Sequence, residues 1–394
     1  MAAETNLAGA TNEVLQEALS AYSDEAYTNA RKLSGTAIVG GNPLIDKKTE
    51  TFVGQMRWMK PLSANINVAS LTDATEGQTT SYSTDYLKYI KTVRTHGAKK
   101  VNMKEVVTQH DGLAKIGRDF GETQAQDEHN GVLAVLKGVA LSEALNGVAA
   151  GSGSAGLGGQ TFDNDPSEQK YGFYVDLGSD SPVVAATSAI QGAARAESFL
   201  QAMGMAFKDY EPDYAYLITT PEVYASLRSA NLVDADRVRD GSIEFTTIFQ
   251  GKLRLIQTRA SQGLTSAELI KLNTGPGVDI VGNKTSFIVM PGALAMEDLT
   301  VPMPTEIERK AGTYQGGGET AIWRRWGYVL APAGYDWVGS EEAFPSDAAY
   351  RYVVESGAPK TLSDSTDLLA NVVGTWKRKA ASALSLGILP VFHS

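Results

Sequence analysis

The stretch Ala215-Tyr216-Leu217-Ile218-Thr219-Thr220-Pro221-Glu222-Val223-Tyr224 decides how this chain folds, and the segment around it, Tyr214 to Thr258, reads as one cassette. Ala215–Thr219 is a short apolar run of the kind that forms a buried strand. Thr220-Pro221-Glu222 then opens a helix, with a hydroxyl side chain at the cap, proline at the first helical position and an acid in the first turn. The helix carries Val223, Tyr224 and Leu227. It runs into a polar, charged stretch from Asp234 to Gly241, read as a loop. Two strands follow at Ile243–Phe249 and Lys252–Thr258, hinged at a glycine. The cassette is a scaffold and holds no catalytic constellation.

At 394 residues the chain exceeds the roughly 250–300 at which a single core stops growing, so two or more lobes are expected. Its 43% hydrophobic and 20% charged residues are those of a globular protein. With no cysteine, disulfides, thiolate nucleophiles and Cys-type zinc sites are excluded. A net charge of −10 argues against a broad basic face gripping nucleic acid. It suits a soluble chain, or one whose surface must repel DNA so that DNA can move past it. No apolar run reaches the ~18 residues of a membrane span, and Met1–Asn6 lacks the basic-then-apolar order of a secretion signal.

Residues 1–50 read as an arm. Glu13–Tyr22 sets Val14, Leu15, Ala18, Leu19 and Tyr22 on one helical face, capped by Thr11 or Asn12. So short a helix is marginal alone, and its apolar stripe is expected to dock elsewhere, for instance on another copy. Gly35–Leu44 reads as a connector. Residues 51–102 read as a β excursion: Phe52–Met59 runs out, Thr72–Thr84 forms a small, polar tip, and Tyr86–Val93 returns with alternation. Neither face of the excursion is purely apolar, so it is a candidate for lying across a neighbouring subunit. From 84 to 118, eight Lys/Arg (88, 91, 94, 99, 100, 104, 115, 118) face three Asp/Glu (85, 105, 111), a net of 8 − 3 = +5 in an acidic chain. That asymmetry suits like copies pairing; a solvated hairpin with lysines guarding its edges reads the same way.

Residues 103–146 read as a helical centre, with Val106, Val107, Leu113 and Ile116 first and then Val132, Val135, Leu136, Val139 and Leu145 at helical spacing. Gly131 and Gly138 on a related face suggest close approach of another backbone. Gly147–Gly159 reads as a flexible loop and Val183–Phe207 as a second long helix. The last third is mostly β. It has a buried strand at Ser286–Met290, a proline-marked edge or connector around Pro302 and Pro304, and a hinge at Gly316–Gly318. Strands follow at Thr320–Leu330 and Tyr335–Gly339, then a helix at Asp364–Lys379 and a closing strand at Leu384–Phe392.

Chemical motifs are weak. Gly151-Ser152-Gly153-Ser154-Ala155-Gly156 has dinucleotide-fingerprint spacing but follows a helix, so it reads as loop. Gly282-Asn283-Lys284-Thr285 interposes an asparagine in a phosphate-loop spacing and reads as a turn. His129 beside Asp127 and Glu128 could hold a cation, yet consecutive helical residues diverge in direction, and a satisfied or exposed histidine is the simpler reading. Trp323-Arg324-Arg325-Trp326 could stack bases. Strand alternation sends Trp323 and Arg325 one way and Arg324 and Trp326 the other, which suits an interface strand better. No active site, cofactor site or metal site is expected.

Three stretches carry a resemblance. They are Tyr216–Leu227 with Phe249-Gln250-Gly251-Lys252-Leu253; Ile322–Tyr328 with Gly334–Gly339; and Asp367–Asn371 with Trp376-Lys377-Arg378. With the order of arm, β excursion, long helix, cassette and late aromatic strand, the chain resembles the major capsid protein of tailed bacteriophages, whose fold is shared with encapsulins and the herpesvirus capsid floor. The resemblance implies an α+β fold with an N-terminal arm (1–50) and an extended β-hairpin loop (51–102). It implies a peripheral domain with a spine helix (103–180 and 300–330) and an axial domain (181–299 and 331–394). It further implies a virion protein, assembled in the host cytoplasm as hexamers and pentamers into an icosahedral head around double-stranded DNA held without sequence preference. Scaffold, portal and decoration proteins are the implied further partners, the scaffold being separate or already removed because a fifty-residue arm leaves no room for one. Trp58, Lys88, Lys91, Arg94, Arg324 and Arg325 are the candidate inter-subunit contacts. An encapsulin-like compartment is the second reading, and a cytoplasmic α/β enzyme or ligand-binding protein the third.

Overall fold

The computed structural model describes residues 12–31, 33–42, 44–48, 50–59, 84–101, 112–149, 175–176, 199–200, 202–204, 212–229, 233–234, 237–240, 243–258, 284–339, 344–345, 352–354, 372–379 and 386–393. Among these residues two sheets organise the chain, with long helices packed on them.

The first sheet is built around the strand the late aromatic stretch predicts. The strands are β1 (Val39–Gly40), β2 (Val53–Met59), β3 (Thr84–Val101), β10 (Leu294–Asp298), β11 (Thr305–Lys310) and β12 (Glu319–Pro332). One edge of β12 is shared by β11, opposite Glu319–Arg324, and by β10, opposite Tyr328–Pro332; its other edge is taken by β3. β3 pairs with β2 in turn, from Val53↔Ile90 to Met59↔Thr84. The expected return strand Tyr86–Val93 therefore runs on through Lys99 and Lys100, because β12 supplies a partner for a stretch whose lysines carry no strand signal. The excursion's base is not surface either: Met56, Leu87 and Tyr89 join Ile45, Leu299 and Val329 in a small core of their own. The expected tip Thr72–Thr84 lies outside the described residues except for Thr84, as do residues 60–71.

Two helices cover one face of this sheet. α1 (Asn12–Ala30) is nearly twice the expected length and lies along α2 (Gly112–Ala149) of its own chain, which corrects the reading of its stripe as a surface for another copy. Leu19 meets Phe120, Ile307 and Ile322 there. The close approach depends on Gly121, where an added Cβ would stand 2.2 Å from Ser23 O and 2.7 Å from Tyr27 N. At Gly131, by contrast, the near neighbour is the Tyr328 hydroxyl and not a backbone. α2 is one continuous 38-residue helix that absorbs Gly147–Ala149 from the expected loop. Its stripe of Val132, Val135, Leu136 and Val139 enters the main core. The connector after α1 is ordered as well: Leu33 and Ile38 are buried, and β1 pairs in parallel with β10.

The second sheet runs β4-β17-β9-β5-β8-β7-β6. These strands are β4 (Val175–Asp176), β5 (Ala215–Thr219), β6 (Arg237–Asp240), β7 (Ile243–Ile248), β8 (Leu253–Gln257), β9 (Lys284–Val289) and β17 (Ile388–His393). The cassette folds as read: β5, then α3 (Pro221–Ser229) with Val223 and Leu227 buried, then a hairpin whose turn holds Phe249, Gln250 and Gly251 at positive φ. The charged stretch before it is not all loop, since Arg237–Asp240 pairs with β7 from Arg237↔Thr246 to Asp240↔Ile243. Strong alternation in β7 offers an open edge, and backbone pairing overrides the low β propensity of charged residues there.

The largest correction falls on Asp364–Lys379. The described part forms β15 (Val372–Gly374), paired with β14 (Tyr352–Val354), and β16 (Trp376–Arg378), paired with β13 (Tyr335–Trp337). Helical spacing lost because Trp376 is held edge-on to Trp337, with ring centroids 5.0 Å apart, both rings being fully buried. Gly316–Gly318 is a hairpin turn between β11 and β12, with Gly316 and Gly318 at positive φ, and not a hinge. Of the expected helix Val183–Phe207, residues 199–200 and 202–204 are helical; its remainder, like residues 150–174, lies outside the described residues.

Candidate functional site

Alternation along β12 divides the Trp-Arg-Arg-Trp stretch as expected. Arg324 and Trp326 turn under the helices, while Trp323 and Arg325 face outward. Arg324 donates to Asp24 Oδ1 at 2.9 Å, to Ser20 Oγ at 3.2 Å and to Thr305 Oγ1 at 3.3 Å, tying β12 and β11 to α1. Trp326 Nε1 donates to Asp127 Oδ2 at 2.9 Å, and Arg94 reaches the same carboxylate at 3.4 Å and Pro345 O at 2.6 Å. Both inward residues thus bind the sheet to its helical cover.

The outward face has another character. The Trp323 ring lies across Gly97, its partner in register on β3, where a Cβ would stand 2.5 Å from the ring. Arg325 holds Glu306 Oε2 at 2.6 Å and Met303 O at 3.1 Å. Trp323 is 38% exposed, Met303 70% and Tyr314, in the turn beyond, 62%. Three strands therefore present an aromatic and ionic surface, stiffened by cross-strand packing and by an ion pair, and among the described residues the helices fill the opposite face. The composition is that of contact surfaces, where Trp, Tyr, Met and Arg are over-represented.

The excursion residues divide differently. Lys91 is fully buried and donates to Asp46 Oδ2 at 2.9 Å, to Thr51 Oγ1 at 3.3 Å and to the Lys48 carbonyl, drawing the 46–51 segment over β3. Its ammonium holds the Asp46 carboxyl below the usual carboxylate range. Lys88 is half-buried, and its backbone N–H donates to Asp336 Oδ1 at 2.6 Å. Trp58 stands opposite Asp85 in the β2–β3 ribbon. The structure therefore joins Arg94, Arg324, Lys91 and Arg325 to carboxylates of their own chain, with Arg325 on the outward face.

Sequence reasoning missed the acidic halves of these pairs and one whole cluster. Tyr27 Oη donates to both Glu128 oxygens, at 2.6 and 2.8 Å, and Arg31 Nε stands 3.9 Å away. Burial pushes the Glu128 carboxyl up, and burial together with the Glu128 charge pushes the Tyr27 hydroxyl far up. These partners sit 101 positions apart, so no local pattern announces them. Asp127, Glu128 and His129 do diverge: Asp127 serves Arg94 and Trp326, Glu128 serves Tyr27, and His129 is buried.

Chemistry is sparse among the described residues. No three His, Asp or Glu side chains converge as metal ligands. A cleft of about 970 Å³ between α1 and α2 is lined by Glu25, Arg118, Asp119, Glu122, Thr123 and His129 among others, and the Thr123 hydroxyl donates to the Asp119 carbonyl at 2.7 Å. Ser286 Oγ lies 2.8 Å from His393 Nε2 and 3.0 Å from Thr219 Oγ1, but all three side chains are fully buried inside the second sheet, where no substrate reaches them. No helix of the described residues is long and apolar enough to cross a membrane.

No family model and no curated protein matches the chain. Solved structures similar to it include phage capsids. The capsid of Ralstonia phage GP4 aligns at 13% identity over 78% of this chain and 86% of that one, with a TM-score of 0.46. The capsid of Helicobacter pylori bacteriophage KHP30 aligns at 8% identity over 92% of each chain, TM-score 0.46. The capsid of cyanophage Pam1 aligns at 10% identity over 78% and 87%, TM-score 0.43.

Proposed function

We propose that this chain is the shell subunit of a tailed-phage head, joining copies of itself as hexamers and pentamers into an icosahedral capsid around double-stranded DNA. One observation carries the reading: the ordered outward face of β3, β12 and β11, where Trp323 and Met303 stand exposed and Arg325 half-buried over a sheet whose other face is already filled. A stiff aromatic and ionic surface of this kind gains most by covering with another protein surface. An 18-residue β3 spans roughly 60 Å, a reach suited to contact with a neighbour and needless in a small ligand-binding protein.

Trp58, Lys88 and Arg325 are the proposed direct contacts, and Lys91, Arg94 and Arg324 hold the strands that present them. The role is structural, without catalysis or cofactor. Scaffold, portal and decoration proteins are the proposed partners, with assembly in the host cytoplasm and residence in the virion. The net charge of −10 supports packaged DNA sliding past the inner surface unbound. Size-exclusion chromatography with negative-stain microscopy tests this. Hollow megadalton particles are expected from the concentrated chain, alone or with its scaffold, whereas a sample that stays monomeric or dimeric under both conditions refutes it.

A further inference from the structure

β3 loses its neighbour partway along. β12 pairs with it only as far as Val329↔Lys91, then turns through Ala333 and Gly334 into β13. Beyond that point β2 remains paired with β3, and among the described residues no strand continues the β12 ladder along the opposite edge of Tyr86–Ile90. Alternate residues of a strand turn their backbone groups to alternate edges. Lys91 donates toward the β2 side, to Phe52 O, so the N–H of Lys88 and the carbonyl of Tyr86 point to the abandoned edge.

Two side chains meet them there. Lys88 N–H donates to Asp336 Oδ1 at 2.6 Å, and Lys379 Nζ donates to Tyr86 O at 2.9 Å. Asp336 and Lys379 also pair with each other at 3.5 Å. An acid accepts where β12 would have offered a carbonyl, and an amine donates where it would have offered an N–H. Asp336 lies in β13 and Lys379 directly follows β16, where its N–H donates to Gly334 O at 2.9 Å; the Trp337–Trp376 contact holds the two strands together. Phe344 adds an edge contact to Phe52 at 4.8 Å.

We infer that Asp336 and Lys379 are positioning residues that complete the hydrogen-bond ladder of the excursion and set the direction in which it leaves the body. The inference deepens the shell reading and rests on it for its consequence, since the direction of the excursion decides where a neighbour is met. The clamp itself lies within one chain.

Hydrogen exchange by mass spectrometry on the full, unassembled chain reads the clamp directly. In Asp336→Ala, peptides covering 84–91 are expected to exchange roughly ten- to a hundredfold faster, the loss of one hydrogen bond to a charged acceptor. Peptides of α2 should keep their wild-type rates. Asp336→Asn, whose amide oxygen still accepts from Lys88, should restore most of the protection, and Lys379→Met should lose part of it. Wild-type rates at 84–91 in both Asp336→Ala and Lys379→Met, or a uniform rise across the whole chain, would overturn the inference. If Asp336→Ala does not fold, the surface change Lys379→Met decides alone. Particle yield from the double variant, expected to fall at least tenfold, reads the consequence separately. A wild-type chain that never forms particles would sink the shell reading while leaving the exchange result standing.

Discussion

Tyr27 gives its hydroxyl to both carboxylate oxygens of Glu128, at 2.6 and 2.8 Å, and so fastens the first helix to the longest one. Burial is the main reason the Glu128 carboxyl titrates above the usual range, with the Tyr27 hydrogen bond and the Arg31 charge acting against it. A carboxyl whose folded pKa is raised favours the folded state at low pH, and that contribution is lost as pH climbs from the ordinary glutamate value of about 4.3 through the folded one. Glu128→Gln keeps an acceptor for Tyr27 and cannot ionise. Urea unfolding between pH 4 and 8 should therefore show a smaller decline with rising pH in Glu128→Gln than in the wild type; identical profiles would contradict the assignment.

Gly121→Ala should destabilise the chain although alanine is the better helix former by about 1 kcal/mol. The new Cβ would meet Ser23 O and Tyr27 N, backbone atoms of a packed helix that cannot swing aside. Overpacking of this kind costs about 1–3 kcal/mol, and the cost should fall on the α1–α2 contact. Limited proteolysis should cut the N-terminal region sooner, with a lower melting temperature.

Asp46→Ala should harm the protein more than Lys91→Met, although Asp46 is 51% exposed and Lys91 is fully buried. Removing the acid strands a buried ammonium with the Lys48 carbonyl and the Thr51 hydroxyl, a loss of roughly 3 kcal/mol. Removing the lysine leaves an acid that water can solvate, and the loss should be about 1 kcal/mol. Chemical denaturation of both variants checks the order.

Trp323→Ala and Arg325→Gln should lower the melting temperature only modestly, through the lost packing on Gly97 and the lost ion pair with Glu306, and should suppress assembly strongly. Both side chains face outward, so neither supports the core. Central aromatic and arginine contacts are often worth about 2 kcal/mol or more each, so the concentration needed for particles should rise at least tenfold. Light scattering during assembly measures it; unchanged assembly in both variants would place the contact surface elsewhere.

Some of this architecture was legible in residue order alone. Pro221-Glu222, the alternation of Ile243–Ile248 and the turn at Gly251 are local signals, decided by a fixed φ and a two-residue period, and the cassette follows them, although the expected Thr220 hydroxyl cap finds no partner among the described residues. The inward and outward division of Trp323–Trp326 was legible for the same reason. Local patterns failed where a distant partner set the outcome. Trp376 reads as helical until Trp337 is beside it, and Arg237–Asp240 reads as loop until β7 offers its edge.

Residue order by itself determined the elements with strong periodicity and the acidic, cysteine-free character of the surface, because propensity, capping and charge act within a few residues. Tertiary structure alone decided that Lys91 goes inside, that α1 lies on its own chain, and that Asp336 and Lys379 stand in for a missing strand. Those outcomes depend on pairs 45, 101, 248 and 293 positions apart, and no local free energy ranks such pairings before the sheets have formed.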